Sequence, residues 1–290
     1  MLHYDYNPRF AVGVVAGSSV LGMIIPPSAM LIIYSFVAEQ SVGAMFLAGV
    51  VPGLMLAFAY IVTIWSMGKI SPNYVGGRPA SDYEWMSLKE IFSKTAPLCT
   101  LIIVVLGGIY TGWMTPVEAG ATGAAVALII ALARRKMSLN SFWQALIETA
   151  SIYSRMLGLA GLPNELGEIL ANNQLGFFWI MTIYLCLMLF LGTLLDTASI
   201  ILIVVPLFLP LIEPMGLSLV WFGIITVIGA EIGLLTPPLG ISCFVIKATL
   251  EDDRISLKDV FMGALPFAFV MLIVLIILIK FPFLSLAILN

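Results

Sequence analysis

Gly22-Met23-Ile24-Ile25-Pro26-Pro27 and Gly233-Leu234-Leu235-Thr236-Pro237-Pro238 decide how this chain folds. Each sets a Pro pair inside an apolar run, and each is followed by a second shared signal. Gly49-Val50-Val51-Pro52 follows the first copy and Gly263-Ala264-Leu265-Pro266 the second, with three extra residues in the second copy. A single Gly-x-x-x-Pro-Pro carries little, because Gly and Pro are frequent in membrane helices. Two copies, each trailed by Gly-x-x-Pro at nearly equal distance, mark an internal repeat of a broken span and a second, Pro-containing span.

A Pro pair removes two backbone donors and disfavours the helical conformation just before it, so the helix opens and frees carbonyls and amides. In a bilayer this is tolerated only beside a cavity or inside packed protein. Broken helices at corresponding positions of two repeats point to a transporter site, where unwound carbonyls hold a cation and half-helix N-termini face an anion. The bland alternative, a pair of packing kinks, suits one Pro-Pro better than two. Around the breaks Ser18, Ser19, Ser28 and Thr236 offer hydroxyls. The candidate solute and cation site therefore comprises Ser18, Ser19, Gly22, Pro26, Pro27 and Ser28 in the first copy, and Gly233, Leu235, Thr236, Pro237, Pro238 and Gly240 in the second.

Composition agrees with a membrane setting. The chain is 61% hydrophobic and 10% charged, with a mean hydropathy of +1.10, where soluble domains carry about a quarter charged residues. The surplus apolar surface must face the lipid bilayer. A net charge of -3 without a long basic run excludes nucleic acid as a partner. Cys99, Cys186 and Cys243 lie in apolar stretches and are odd in number, which argues against a disulfide framework or a metal centre. An intramembrane enzyme would need a convergent acid, base or nucleophile, yet His3 is the only histidine and stands near the start. No catalytic residue is assigned, and no cofactor.

Stretches of ~20 apolar residues are long enough to span a membrane. The spacing predicts spans over Phe10–Ala38, broken at Pro26, Val42–Met67, Pro97–Met114, Pro116–Ala133, Leu219–Leu250, broken at Pro237, and Val260–Leu284. Between them Phe177–Leu195 and Ser199–Ile212 are too short for two comfortable crossings and read as a re-entrant hairpin. The basic segments Lys69–Lys94 and Arg134–Lys136 lie two spans apart, so the positive-inside rule places both in the cytoplasm. The first ends in a short amphipathic helix, Leu88–Ser93. Thr115-Pro116-Val117-Glu118 has the form of a capping box, which assigns Glu118 to helix initiation. The chain thus divides into 1–67 (remainder of the first repeat), 68–96 (cytoplasmic linker), 97–136 (helical hairpin) and 137–290 (second repeat). The fold class is all-α: a polytopic membrane protein with inverted repeats, broken helices and a re-entrant hairpin.

At the hairpin centre stands Leu194-Leu195-Asp196-Thr197-Ala198-Ser199, a polar knot in apolar sequence. An intramembrane acid is costly and is a functional candidate by default. Asp196 equally suits an N-cap of the returning half-helix, with or without a role toward solute. Glu231 invites the same weighing and ranks below Thr236, because it can serve as an interhelical hydrogen-bond partner.

The runs Ala16-Gly17-Ser18-Ser19 to Ile25-Pro26-Pro27-Ser28, Ala48-Gly49-Val50-Val51-Pro52-Gly53, Gly107-Gly108-Ile109-Tyr110 with Thr115-Pro116, Asp196-Thr197 and Gly233 through Gly240 resemble the large membrane subunit of tripartite ATP-independent periplasmic (TRAP) transporters. The resemblance covers nearly the whole chain. It implies sodium-driven import of small organic acids, such as dicarboxylates or sugar acids, through the bacterial inner membrane. It further implies a periplasmic solute-binding protein and a small membrane subunit as partners, an elevator-like movement, and sodium as coupling ion. By the same resemblance one sodium site forms from Thr197, Gly233, Leu235 and Thr236. Two departures stand out. The hairpin that precedes each broken helix in the family has no counterpart before Pro26, which suggests a fragment of a longer chain. Thr149–Leu162, where the family has a full span, is short and interrupted by Arg155. The alternatives are an inactive membrane remnant or a different ion-coupled carboxylate transporter without a binding protein.

Overall fold

Most long helices of the chain begin where the sequence supplies a side-chain oxygen for the first unpaired amides. In the computed structural model, which describes residues 1, 5–77, 87–134, 137–138, 140–147, 149, 176–238, 240–250 and 255–289, Asn7 caps α1 (Pro8–Ile24) and Ser28 caps α2 (Ala29–Val37). Ser41 caps α3 (Val42–Ile70), which is followed by the single turn α4 (Pro72–Val75). Ser87 starts α5 (Leu88–Tyr110), and the capping box of Thr115 and Glu118 starts α6 (Pro116–Ala133). After these come α7 (Phe177–Gly192), α8 (Thr197–Ile212) capped by Asp196, and α9 (Leu219–Leu235) capped by Ser218. The chain continues with α10 (Ile241–Thr249), α11 (Leu257–Lys280) with a Ser256/Asp259 capping box, and the short α12 (Phe283–Leu286).

Among the described residues there is no strand, and one isolated bridge joins Tyr6 and Gly76. Among the described residues four helices are long and apolar enough to cross a membrane, and the bent pair α1–α2 makes a fifth. The all-α polytopic fold expected from the sequence is thereby shown. One of the four is α8 with the 3-10 turn that extends it, and its packing, described below, makes it one arm of a hairpin.

Two compact units are present. The first comprises Met1–Ala80 with Leu159–Asn290, and the second Ser81–Gly158. In the first unit the segments read as separate repeats pack together. Arg9 meets Asp259 at 2.5 Å, and side chains added at Gly13 and Gly17 would strike Gly263 and Phe267, so α1 and α11 advance in step and run parallel. Trp221 at the start of α9 donates its indole N–H to the Leu278 carbonyl at the end of α11, 2.8 Å away, so α9 and α11 run oppositely. Hence α9–α10 is antiparallel to α1–α2, and the repeats are inverted. Tyr34 near the end of α2 donates to the Leu219 carbonyl at 2.7 Å, again pairing an end with a beginning.

In the second unit α5 and α6 form a helical hairpin. The short amphipathic helix expected over Leu88–Ser93 is instead the continuous start of α5. Pro97 lacks the N–H that would bond the Ser93 carbonyl four residues back. The Arg134 guanidinium donates to that carbonyl at 2.7 Å and so satisfies it. Residues 150–162 of the suspected crossing, and 78–86, 135 and 136 of the basic segments, lie outside the described residues.

Candidate functional site

Both Pro pairs break their helices in the same manner. Seventeen helical residues precede each break and nine follow it. The segments Gly22–Ser28 and Gly233–Gly240 read from the sequence as non-helical, yet Gly22–Ile24 and Gly233–Leu235 are helical, and the openings begin at Ile25 and Thr236. A Pro disfavours helix at the residue before it, and that residue is Ile25 in one copy and Thr236 in the other. The first pair bends by 45°.

The two openings differ in how their polar groups are used. In the first, Ser28 is fully buried, accepts from the Leu31 amide at 3.3 Å as the α2 cap, and donates to the Met23 carbonyl. Pro26 is buried and Pro27 half-buried. Ser18 and Ser19 are exposed and donate to the Val15 and Ala16 carbonyls one turn back. Gly22 is exposed, and a side chain there would meet nothing within 4 Å.

In the second opening Thr236 ends α9, donating both its amide and its hydroxyl to the Gly233 carbonyl at 3.0 Å. Leu235 is buried, and among the described residues its carbonyl has a distant donor, Cys243 Sγ at 3.8 Å. Pro237 and Pro238 are exposed. Gly240 starts α10 with φ +41°, and a Cβ on it would lie 2.6 Å from the Phe261 ring and 2.9 Å from the Thr236 carbonyl, so glycine is required. Unlike α2 and α8, α10 has no side-chain cap.

The hairpin arms α7 and α8 bring a third element to the second opening. Tyr184 on α7 bonds Thr226 on α9 at 2.6 Å. Because the Thr226 proton goes to the Phe222 carbonyl, Tyr184 is the donor. One turn from the tip the backbones touch: a Cβ on Gly233 would lie 2.5 Å from Gly192 Cα, and one on Gly192 2.7 Å from Gly233 Cα. These pairs advance in step, so α7 runs parallel to α9 and the tip Thr193–Asp196 arrives beside the end of α9. Here α8 turns back toward the start of α9, as a re-entrant arm does.

Asp196 accepts from the Ser199 amide at 3.0 Å and from its hydroxyl at 2.6 Å, which is the capping role. Thr197, the next residue, is buried and donates to Glu231 Oε1 at 2.7 Å. Glu231 is 2% exposed. The sequence reading weighed this acid but left it out of the site, because sequence does not say which side of a buried helix meets the tip. Its signal was visible all the same, as the only charged residue in Leu219–Leu235.

Hydroxyls and a weakly held carbonyl such as that of Leu235 suit a hard alkali cation, and both Thr197 and Thr236 already direct their protons away into other acceptors. Among the described residues no group of three or more His, Cys, Asp or Glu could hold a metal ion. The end of α9 also presents its terminal carbonyls, the negative end of the helix dipole.

Residues 1–284 match the family described as tripartite ATP-independent periplasmic transporter, DctM component. The chain belongs to that family. A relative, the C4-dicarboxylate TRAP transporter large permease of Pseudomonas aeruginosa, is 31% identical, over 100% of this chain and 70% of its own length. The sialic acid TRAP transporter large permease of Vibrio cholerae is 29% identical, over 96% of this chain and 66% of its own length. For the 2,3-diketo-L-gulonate large permease of Escherichia coli the figures are 27%, 96% and 67%. This TRAP permease chain therefore spans about two thirds of the length of these relatives. In family terms the two inverted broken pairs and the hairpin are parts of a transport protein of the membrane.

Proposed function

We propose that this chain takes part in sodium-driven import of small organic acids across a bacterial inner membrane, fed by a periplasmic binding protein and assisted by a small membrane subunit. The observation that carries the reading is the hairpin tip seated on the second broken helix, with hydroxyls, the weakly engaged Leu235 carbonyl and one carboxylate gathered in a buried place. Sodium would bind between Thr197, Gly233, Leu235 and Thr236, and the uncapped amides of α10 would face a carboxylate of the solute. Ser18, Ser19, Gly22 and Ser28 would serve the first opening. Movement would be elevator-like, with α7–α10 and α1–α2 travelling together. The three relatives above are named for organic acids of differing size, which supports that substrate class for this chain.

The test is uptake into proteoliposomes holding the purified chain with its small subunit, using binding protein loaded with a labelled C4-dicarboxylate or a labelled sugar acid. Uptake that follows an inward sodium gradient and stops when choline replaces sodium is expected. Thr236→Ala should raise the sodium concentration needed for half-maximal uptake while the protein still inserts at normal yield. An unchanged sodium requirement would leave Thr236 as a helix cap alone.

A further inference from the structure

We infer that Glu231 is a positioning residue of the cation site, acting through Thr197. The inference rests on the sodium reading above and assigns it a residue outside the expected ligand set. A threonine hydroxyl can give its oxygen lone pairs to a cation only if its proton points elsewhere. Thr197 has one proton, and the structure shows where it goes: to Glu231 Oε1, at 2.7 Å, across the seam between the hairpin and α9. Groups that orient a ligand in this way are the outer shell of a metal site, and removing one commonly weakens metal binding ten- to a hundredfold.

The placement of Glu231 supports the same role electrostatically. It is 2% exposed, on a helix whose residues from Trp221 to Leu235 are all buried. The ion pairs found among the described residues join Arg9 to Asp259 and Lys94 to Glu90, and neither involves it. An ionised carboxylate held by one hydroxyl in such surroundings loses several kcal/mol of hydration. A cation beside Thr197 returns part of that loss, so carboxylate and cation stabilise each other. Nearby, the touching backbones of Gly192 and Gly233 keep Thr197 within reach, because any larger residue at either glycine would push the tip away.

The experiment measures thermal unfolding of the purified chain in nanodiscs across a sodium titration, with choline holding ionic strength constant. Glu231→Met, which offers no acceptor to the Thr197 proton, should require roughly ten- to a hundredfold more sodium for half of the stabilisation, and Glu231→Gln, which keeps an oxygen in that place without the charge, should fall between it and wild type. Thr197→Val should also raise the midpoint, and Thr197→Ser, which keeps the hydroxyl, should stay closer to wild type than Thr197→Val. The double variant Thr197→Val with Glu231→Met should be no worse than Thr197→Val alone, since one acts through the other. A wild-type sodium midpoint in Glu231→Met, or losses that multiply in the double variant, would overturn the inference and leave the sodium site standing. If Glu231→Met does not fold, Glu231→Asp is read in the same way: it keeps the charge but draws it back from Thr197, and an unshifted midpoint would again overturn the role. If the wild-type chain shows no sodium-specific stabilisation, the sodium reading itself falls, and the role of Glu231 with it.

Discussion

Asp196 and Glu231 show what single residues can and cannot reveal. Both are acids in apolar sequence, and both were visible as such. Asp196 stands before a returning half-helix, and the cap expected of it is what its carboxylate makes with Ser199. Glu231 depends on a contact from another helix, thirty-four positions away in the chain, and no spacing rule reports that. The glycines at this place make a sharper claim. Replacing Gly233 by Val adds atoms where Gly192 Cα already stands, so the hairpin tip must retreat. Overpacking of this kind costs about 1–3 kcal/mol. Gly233→Val should unfold at lower denaturant than wild type, whereas Gly22→Val, whose side chain meets open space, should cost much less and little beyond its φ/ψ preference. Equal losses in the two variants would contradict the packing described.

Among elements, the broken helices were legible because proline acts on the backbone directly, whatever surrounds it. Their ends were less so: each helix continued through Gly22–Ile24 and Gly233–Leu235, up to the residue preceding the first proline. The start of α5 was hidden for the opposite reason, since Pro97 looked like a beginning and is an interior residue. The carbonyl that Pro97 leaves without a partner is met by the Arg134 guanidinium, a contact between residues forty-one apart. Arg134→Ala should therefore free the first turns of α5, seen as faster hydrogen exchange over residues 88–96, with the amides of α6 from 120 to 130 unchanged. Arg134→Lys should fall between, because an ammonium can reach the carbonyl without the planar fork. Exchange unaltered in Arg134→Ala would mean that α5 tolerates Pro97 unaided.

For the whole molecule, the inverted relation of the repeats fixes which ends share a face. Arg9 and Asp259 lie at one end of the first unit, together with Val75, which accepts from the Asn7 amide at 3.0 Å. Tyr34, Leu219 and Leu278 lie at the other. The positive-inside rule then predicts a cytoplasmic position for Arg9, Lys69 and Asp259, which labelling can test. In a background with Cys99, Cys186 and Cys243 replaced, an impermeant thiol reagent added outside should label cysteines introduced at 39 and 217 and spare those at 73 and 256. Labelling of both sets from one side would break the inverted arrangement. The repeat itself was readable from duplicated motifs, but its direction was not, since direction depends on the parity of crossings through a region where the sequence is ambiguous. Contacts between α1, α9 and α11 decide it.

The burial of α9 separates two quantities that hydropathy plots merge, the greasiness of a helix and its acquaintance with lipid. Its residues from Trp221 to Leu235 are enclosed by protein, while Phe58 and Trp65 of α3 and Phe269 and Ile276 of α11 stand 54–68% exposed. A phospholipid carrying a photoreactive diazirine in its acyl chain should attach to α3 and α11 and pass over α9. To the membrane that surrounds it, the helix bearing Glu231 would be invisible, and adducts between 221 and 235 would show that the enclosure opens.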